Sequence, residues 1–259
     1  MIPKIIVKKQ DRENNAKFIT GLLNTEFIAS NTSLPFEKRV YGLLPELKDK
    51  IKNNMITEEI YQEVYHAISE RFIKDADTMD RRVLELQQAF DGFSKPLLLK
   101  MLEIFELEWP ETQGEIVCYI GCYPVFPRDV MKKEFWVNYN TPDAYILGAS
   151  IHEINHFMAF EKWKAMHGYD KKVEPMHPEP LWFLEEIIVD PTLNEPELQK
   201  IASYPQKAYT QFYEETINGI VVMEHIKKIY NERNNMADFL DRSYSFIEEH
   251  IEELIVKCG

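Results

Sequence analysis

His152-Glu153-Ile154-Asn155-His156 combines the residue types and the spacing that can build a metal-dependent hydrolytic site. On an α-helix the two histidines stand one turn apart, so both imidazoles leave the same face and can reach one ion. Zinc takes neutral imidazole nitrogens at roughly 2.0–2.1 Å, and an i, i+4 pair supplies two of them without bending the backbone. Glu153 projects beside the pair. Its carboxylate is suited to take a proton from a water attacking a carbonyl and to return it to the leaving group. The alternative is a core helix whose histidines find ordinary hydrogen-bond partners.

A helix carrying this motif needs defined ends. Thr141-Pro142-Asp143 reads as N-cap, proline at the first helical position and acid in the first turn, and Gly168 lies where the helix should stop. Tyr145, Ala149, His152, His156 and Trp163 share one stripe, while Leu147, Ile151, Ile154 and Met158 form an apolar stripe on another face. Two histidines need a third protein ligand, and residues 178–190 offer one. This stretch begins with prolines, continues as an apolar run broken only by Glu185 and Glu186, and reaches Asp190 just before Pro191. Burying an unpaired carboxylate is expensive, whereas a carboxylate bound to a cation is compensated. Asp190 follows Glu186 by one turn and is predicted to accept the second ring N–H of a metal-binding histidine, fixing its tautomer.

His-Glu-x-x-His followed by Glu-x-x-x-Asp resembles the gluzincin, or thermolysin-like, zinc metallopeptidases. The resemblance implies Zn2+ held by His152, His156 and Glu186, Glu153 as general base, Asp190 as the partner of a histidine, and a peptide or protein substrate. A related pattern, Trp-Leu-x-Glu-Gly, aligns with Trp182-Phe183-Leu184-Glu185 and would make Glu185 the ligand. Glu186 is preferred because only it has an aspartate one turn away. The sequence departs from the usual pattern in having Glu185 before the ligand, Pro191 after the aspartate, and a long interval after His156.

The remaining sequence must position these groups. With 259 residues, 45 % of them hydrophobic, the chain can bury a substantial core. A formal charge of -13 argues against a phosphate-backbone binder, so no nucleic-acid partner is expected. Cys118, Cys122 and Cys258 cannot all pair, and they lack zinc-knuckle spacing, which favours reduced thiols. The apolar run in the first ten residues is too short for a signal peptide or a membrane span, and no later window supplies one. A cytoplasmic location without membrane association is therefore expected. Periodicity predicts a strand near 4–9, helices near 11–29, 35–53, 57–75, 79–91 and 95–108, strands at 115–120 and 135–139, and long helices near 204–231 and 236–257. Thr57 is the expected cap of the third of these helices. The fold class is thus α+β, predominantly helical. It comprises an N-terminal helical region over 1–112 and a zincin-like metallopeptidase region with a small sheet over 113–259, the alternative being a single domain.

In zincins an edge strand just ahead of the metal helix pairs with extended peptide, and Phe135–Tyr139 occupies that place in this sequence. An ordinary core strand is the competing reading. Oxyanion stabilisation requires a donor, and His177, Tyr204, Tyr209 and Tyr213 are the downstream candidates. One rival reuses the motif: Glu153-x-x-His156 and Glu63-x-x-His66 together suit a ferritin-like di-iron or di-manganese bundle. A zincin-like binding module without catalysis is another.

Overall fold

Alternation of side chains along the first strand creates the sheet on which the site is built. The computed structural model describes residues 1–23, 36–52 and 54–258. In β1 (Lys4–Lys9), Ile5 and Val7 enter the core while Lys4, Lys8 and Lys9 stay outside. β1 pairs in parallel with β2 (Glu115–Gly121), which pairs in parallel with β4 (Glu134–Asn138). The two-residue β3 (Arg128–Asp129) closes the order β1-β2-β4-β3 as an antiparallel edge. The sheet therefore draws strands from both sides of residue 112. The predicted substrate strand, Phe135–Tyr139, is not an edge: Arg128 pairs opposite Phe135, and the Trp136 N–H donates to the Pro127 carbonyl at 3.0 Å. β3 carries too short a pattern to be recognised from periodicity.

Among the described residues four α-helices precede β2: α1 (Arg12–Leu23), α2 (Phe36–Leu43), α3 (Thr57–Lys74) and α4 (Ala76–Ile104). The predicted extension of α1 to residue 29 lies outside the described residues. The segment predicted as one helix over 35–53 is α2 followed by a short 3-10 turn at Pro45–Leu47. Thr57 opens α3 instead of capping it; the Ile56 N–H donates to the Glu59 carboxylate at 3.0 Å. The two helices predicted over 79–91 and 95–108 are one, running through Pro96. Proline removes one helical hydrogen bond, but Leu86, Phe90, Leu97, Leu98 and Met101 are buried along the same helix and outweigh that loss. α4 lies along β1, where the Gln87 amide accepts from the Val7 N–H (2.8 Å) and donates to the Ile5 carbonyl (3.1 Å), blocking that edge.

After β4 the chain enters α5 (Asp143–His167), α6 (Pro180–Ile187), α7 (Val189–Leu193), α8 (Pro196–Ile201) and α9 (Gln211–Glu214). The predicted helix over 204–231 is shorter. Its place is taken by α9, a hairpin of β5 (Thr216–Ile217) and β6 (Ile220–Val221), and α10 (Val222–Glu232). Asn218 and Gly219 both adopt positive φ at the hairpin turn, the Asn-Gly chemistry that this geometry favours. α11 (Met236–Glu249) and α12 (Ile251–Cys258) divide the last predicted helix at His250. The protein is mostly helical with a small mixed sheet, as expected of an α+β chain. No helix among the described residues is long and apolar enough to cross a membrane.

Candidate metal centre

The motif helix is held from both ends. Pro142, not Thr141, is the N-cap of α5, and Arg82 of α4 secures the approach by donating to the carbonyls of Tyr139 and Thr141, both at 3.2 Å, and by pairing with Asp143. Gly168, at φ 73°, ends the helix as the sequence predicts. Midway, the fully buried Lys133, in the β3–β4 turn, meets Glu161 at 2.6 Å and lies over the Phe160 ring. This buried pair fixes β3 and β4 against α5.

His152 and His156 meet edge to face, ring centroids 4.7 Å apart. Opposite them stands Glu186 of α6, a helix buried through Leu181, Phe183, Leu184 and Ile187. His152 Nε2 lies 3.8 Å from Glu186 Oε2, and His156 Nε2 lies 3.8 Å from Glu186 Oε1. These separations are too long for hydrogen bonds. They suit donors around an ion, since two atoms each about 2.1 Å from a tetrahedral zinc stand roughly 3.4 Å apart. One ligand atom from each of the three residues falls within 4.8 Å of the others. Among the described residues neither ring nitrogen of the buried His156 makes a well-formed hydrogen bond, although the Glu185 backbone interacts with the ring; this is a costly state for a polar group unless a ligand completes it. The residues fit a metal ion. Of the two glutamates left open by the sequence, Glu186 joins the histidines.

Arg128, carried by β3, enters the same cluster. Its guanidinium lies 3.1 Å from Glu186, 3.3 Å from Glu185, 3.8 Å from Glu153 and 4.0 Å from Glu174. One guanidinium faces four carboxylates, and the proton affinities reflect the shortfall of positive charge. Burial pushes Glu153 up to about 7 and Glu185 up to about 8, despite the pull of Arg128 on both. Glu186 goes the other way: burial opposes its charge, but His156, Arg128 and His152 outweigh it and hold the group well below the usual carboxylate range. Burial, then Arg128, depresses His156 well below its ordinary value while Glu186 pulls the other way, a balance that favours the neutral form that ligates.

No protein-family model, curated protein or solved structure matches this chain. Assignment of function therefore rests on the geometry of the site.

A cleft of about 530 Å³ opens beside the cluster, lined by His152, Glu153, Glu186 and Arg128, with Phe126, Tyr145, Tyr204 and Tyr209 among its walls and Gly148 and Ala149 along α5. Of the predicted candidates His177, Tyr204, Tyr209 and Tyr213, both Tyr204 and Tyr209 line this space, and Tyr209 is the one that interacts with Glu186. It stacks on Trp182 with centroids 5.6 Å apart. His177 packs behind it against Trp182 and Phe183. The Tyr213 hydroxyl donates to Asp190 and accepts from the Ala208 N–H at 3.0 Å.

Among the described residues Asp190 makes no hydrogen bond or ion pair with a histidine. Besides Tyr213 it takes Lys227 at 2.8 Å and the Asn194 amide at 3.1 Å. Pro191 has no N–H to offer the Ile187 carbonyl, so α6 stops and α7 restarts with Asp190 directed elsewhere. Asn194 in turn brackets the backbone of Gln206, whose amide donates to the Gly148 carbonyl at 3.0 Å, so Asp190 braces the cleft wall bearing Tyr204. Glu63 and His66 are spent elsewhere on α3, on Lys50 at 3.4 Å and on Glu70 at 3.3 Å. His152, His156 and Glu186 form the one group of three or more potential ligands among the described residues. Arg128 and Glu174 escaped the sequence reading. The available signal was a lone cation following the proline-rich, aromatic stretch 123–127, together with more buried acids than nearby cations could offset.

Proposed function

We propose that this protein is a zinc-dependent peptidase of the gluzincin type. The observation that carries the reading is the convergence of His152 and His156 from one turn of α5 with Glu186 of α6 at donor separations of 3.8 Å, with Glu153 alongside. His152, His156 and Glu186 hold the ion, which when bound supplies a Lewis acid for carbonyl and water. Glu153 takes the proton of the attacking water and passes it to the departing amine. Its Oε2 is buried without a hydrogen-bond partner among the described residues, and a proton affinity near neutrality serves both transfers. Tyr209, at the rim of the cluster, donates to the carbonyl oxygen as that atom gains charge.

The strand-pairing part of the reading moves from β4 to β3. Hydrogen bonding of Trp136 to Pro127 makes the Arg128–Phe135 pair a non-hydrogen-bonded one, so the Arg128 peptide groups face away from β4, the side on which an extended peptide would pair. A cleft of this size suits a restricted set of peptides rather than broad digestion. Incubating zinc-loaded protein with a diverse peptide library, beside the Glu153→Gln variant, tests the assignment. Cleavage that is chelator-sensitive and lost in the variant is expected. Absence of cleavage with zinc stoichiometrically bound would leave a binding module, and indiscriminate degradation of unrelated proteins would contradict restriction.

A further inference from the structure

The Glu186 Oε1 atom is claimed twice. It stands 3.8 Å from His156 Nε2, as a fellow metal donor would, and it also accepts from Arg128 Nη1 at 3.1 Å. Arg128 reaches this position from the edge strand, and its guanidinium is the sole Lys or Arg group paired with Glu153, Glu185 or Glu186 among the described residues. A second positive charge brought to the same oxygen meets direct like-charge repulsion in a buried setting, where it is poorly screened. The guanidinium and a divalent ion therefore draw on one set of carboxylates.

We propose that Arg128 is an internal competitor for the metal: its guanidinium stands in for the divalent ion when the site is empty and thereby sets the metal affinity. This inference rests on the reading of His152, His156 and Glu186 as ligands. It differs from a role in which Arg128 merely orients Glu186, because orientation and competition predict opposite signs. If Arg128 holds Glu186 in a ligating pose, removing it weakens metal binding. If it competes, removing it strengthens binding, since the apparent affinity is reduced by the fraction of molecules in which the guanidinium occupies the carboxylates. Four carboxylates without Arg128 also leave the metal-free fold short of a counter-charge, so the same change should destabilise the empty protein and enlarge its stabilisation by metal.

The test is Zn2+ affinity, measured by competition with a chromophoric chelator at fixed pH, for the parent, Arg128→Gln and Arg128→Lys. Arg128→Gln is expected to bind Zn2+ on the order of tenfold more tightly, with Arg128→Lys between it and the parent, because lysine keeps the charge and loses the two-pronged contact. Co2+ spectra report whether the coordination geometry is retained. Equal or weaker binding by a folded Arg128→Gln protein overturns the proposal and leaves an orienting role. If Arg128→Gln folds only when Zn2+ is supplied, the metal has replaced the guanidinium and the proposal is supported. If it folds under neither condition, Arg128→Lys decides: tighter binding than the parent supports the proposal, and equal or weaker binding overturns it. A parent protein that binds no Zn2+ removes the ligand assignment itself, an outcome distinct from a parent that binds and a variant that does not bind more tightly.

Discussion

Glu153→Gln separates chemistry from architecture at this site, because the change preserves side-chain shape and removes only the proton-accepting charge. Glu153 is 6 % exposed, and its proton affinity is raised by burial from 4.5 to about 7. A shift of that size corresponds to about 3 kcal/mol of unfavourable ionisation within the fold. The sign follows from the direction of the shift. A carboxyl with a raised folded value contributes stability that is fully present below pH 4.5 and lost as pH rises through about 7, so the metal-free parent is penalised at pH 8. Metal-free Glu153→Gln should therefore be more stable than the parent at pH 8, by up to about 3 kcal/mol, with the gap closing towards pH 5. In the zinc-loaded protein the same substitution should leave zinc content unchanged and lower kcat by about 10²- to 10⁴-fold, the usual worth of a positioned general base. Urea unfolding with chelator at pH 5 and pH 8, elemental analysis, and turnover of a cleaved peptide provide the readouts. Parent-like turnover would remove Glu153 from the chemistry, and a metal-free variant no more stable than the parent at pH 8 would refute the burial argument.

Further substitutions probe the rest of the arrangement. His156→Ala should lose stoichiometric zinc on dialysis, and retention of one ion per chain by elemental analysis would dismiss the ligand assignment. Asp190→Ala should keep its zinc, because the carboxylate braces Tyr213, Asn194 and Lys227 instead of a histidine; a stability loss of about 1–3 kcal/mol in urea is expected, and a large fall in zinc affinity would restore the histidine role. Lys133→Met strands Glu161 in the core and should cost about 3–5 kcal/mol by denaturant unfolding. Adding Glu161→Leu should recover most of that loss, and an unstable double variant would mean that the pair is needed for more than charge balance.

Local spacing made the motif helix legible. Whatever surrounds α5, residues four apart share a face, so His152 and His156 had to converge once Pro142 and Gly168 bounded a helix. Two acids in the apolar run of α6 likewise announced a site needing a cation, and the mostly helical α+β character followed from periodicity. Merged and split helices were less legible. Pro96 is overridden by burial along α4, while the turn at Asn218-Gly219 divides a stretch whose apolar spacing also suits a helix.

Tertiary structure decided the matters that depend on groups distant in the chain. Whether Glu185 or Glu186 faces the histidines depends on how α6 is rotated as it packs between α5 and α11. Asp190 retains its helical distance from Glu186, but the break before Pro191 turns it to Tyr213 and Lys227. The edge position passed from β4 to β3 because a two-residue strand needs only a partner, not a pattern, to form. Arg128 illustrates the limit most clearly. Nothing within several residues of it in sequence requires a buried cation, and the four carboxylates that do require one come from α5, α6 and the loop between them. Sequence patterns encode what a helix or strand does to its own neighbours, whereas buried charge is balanced across elements that only folding brings together.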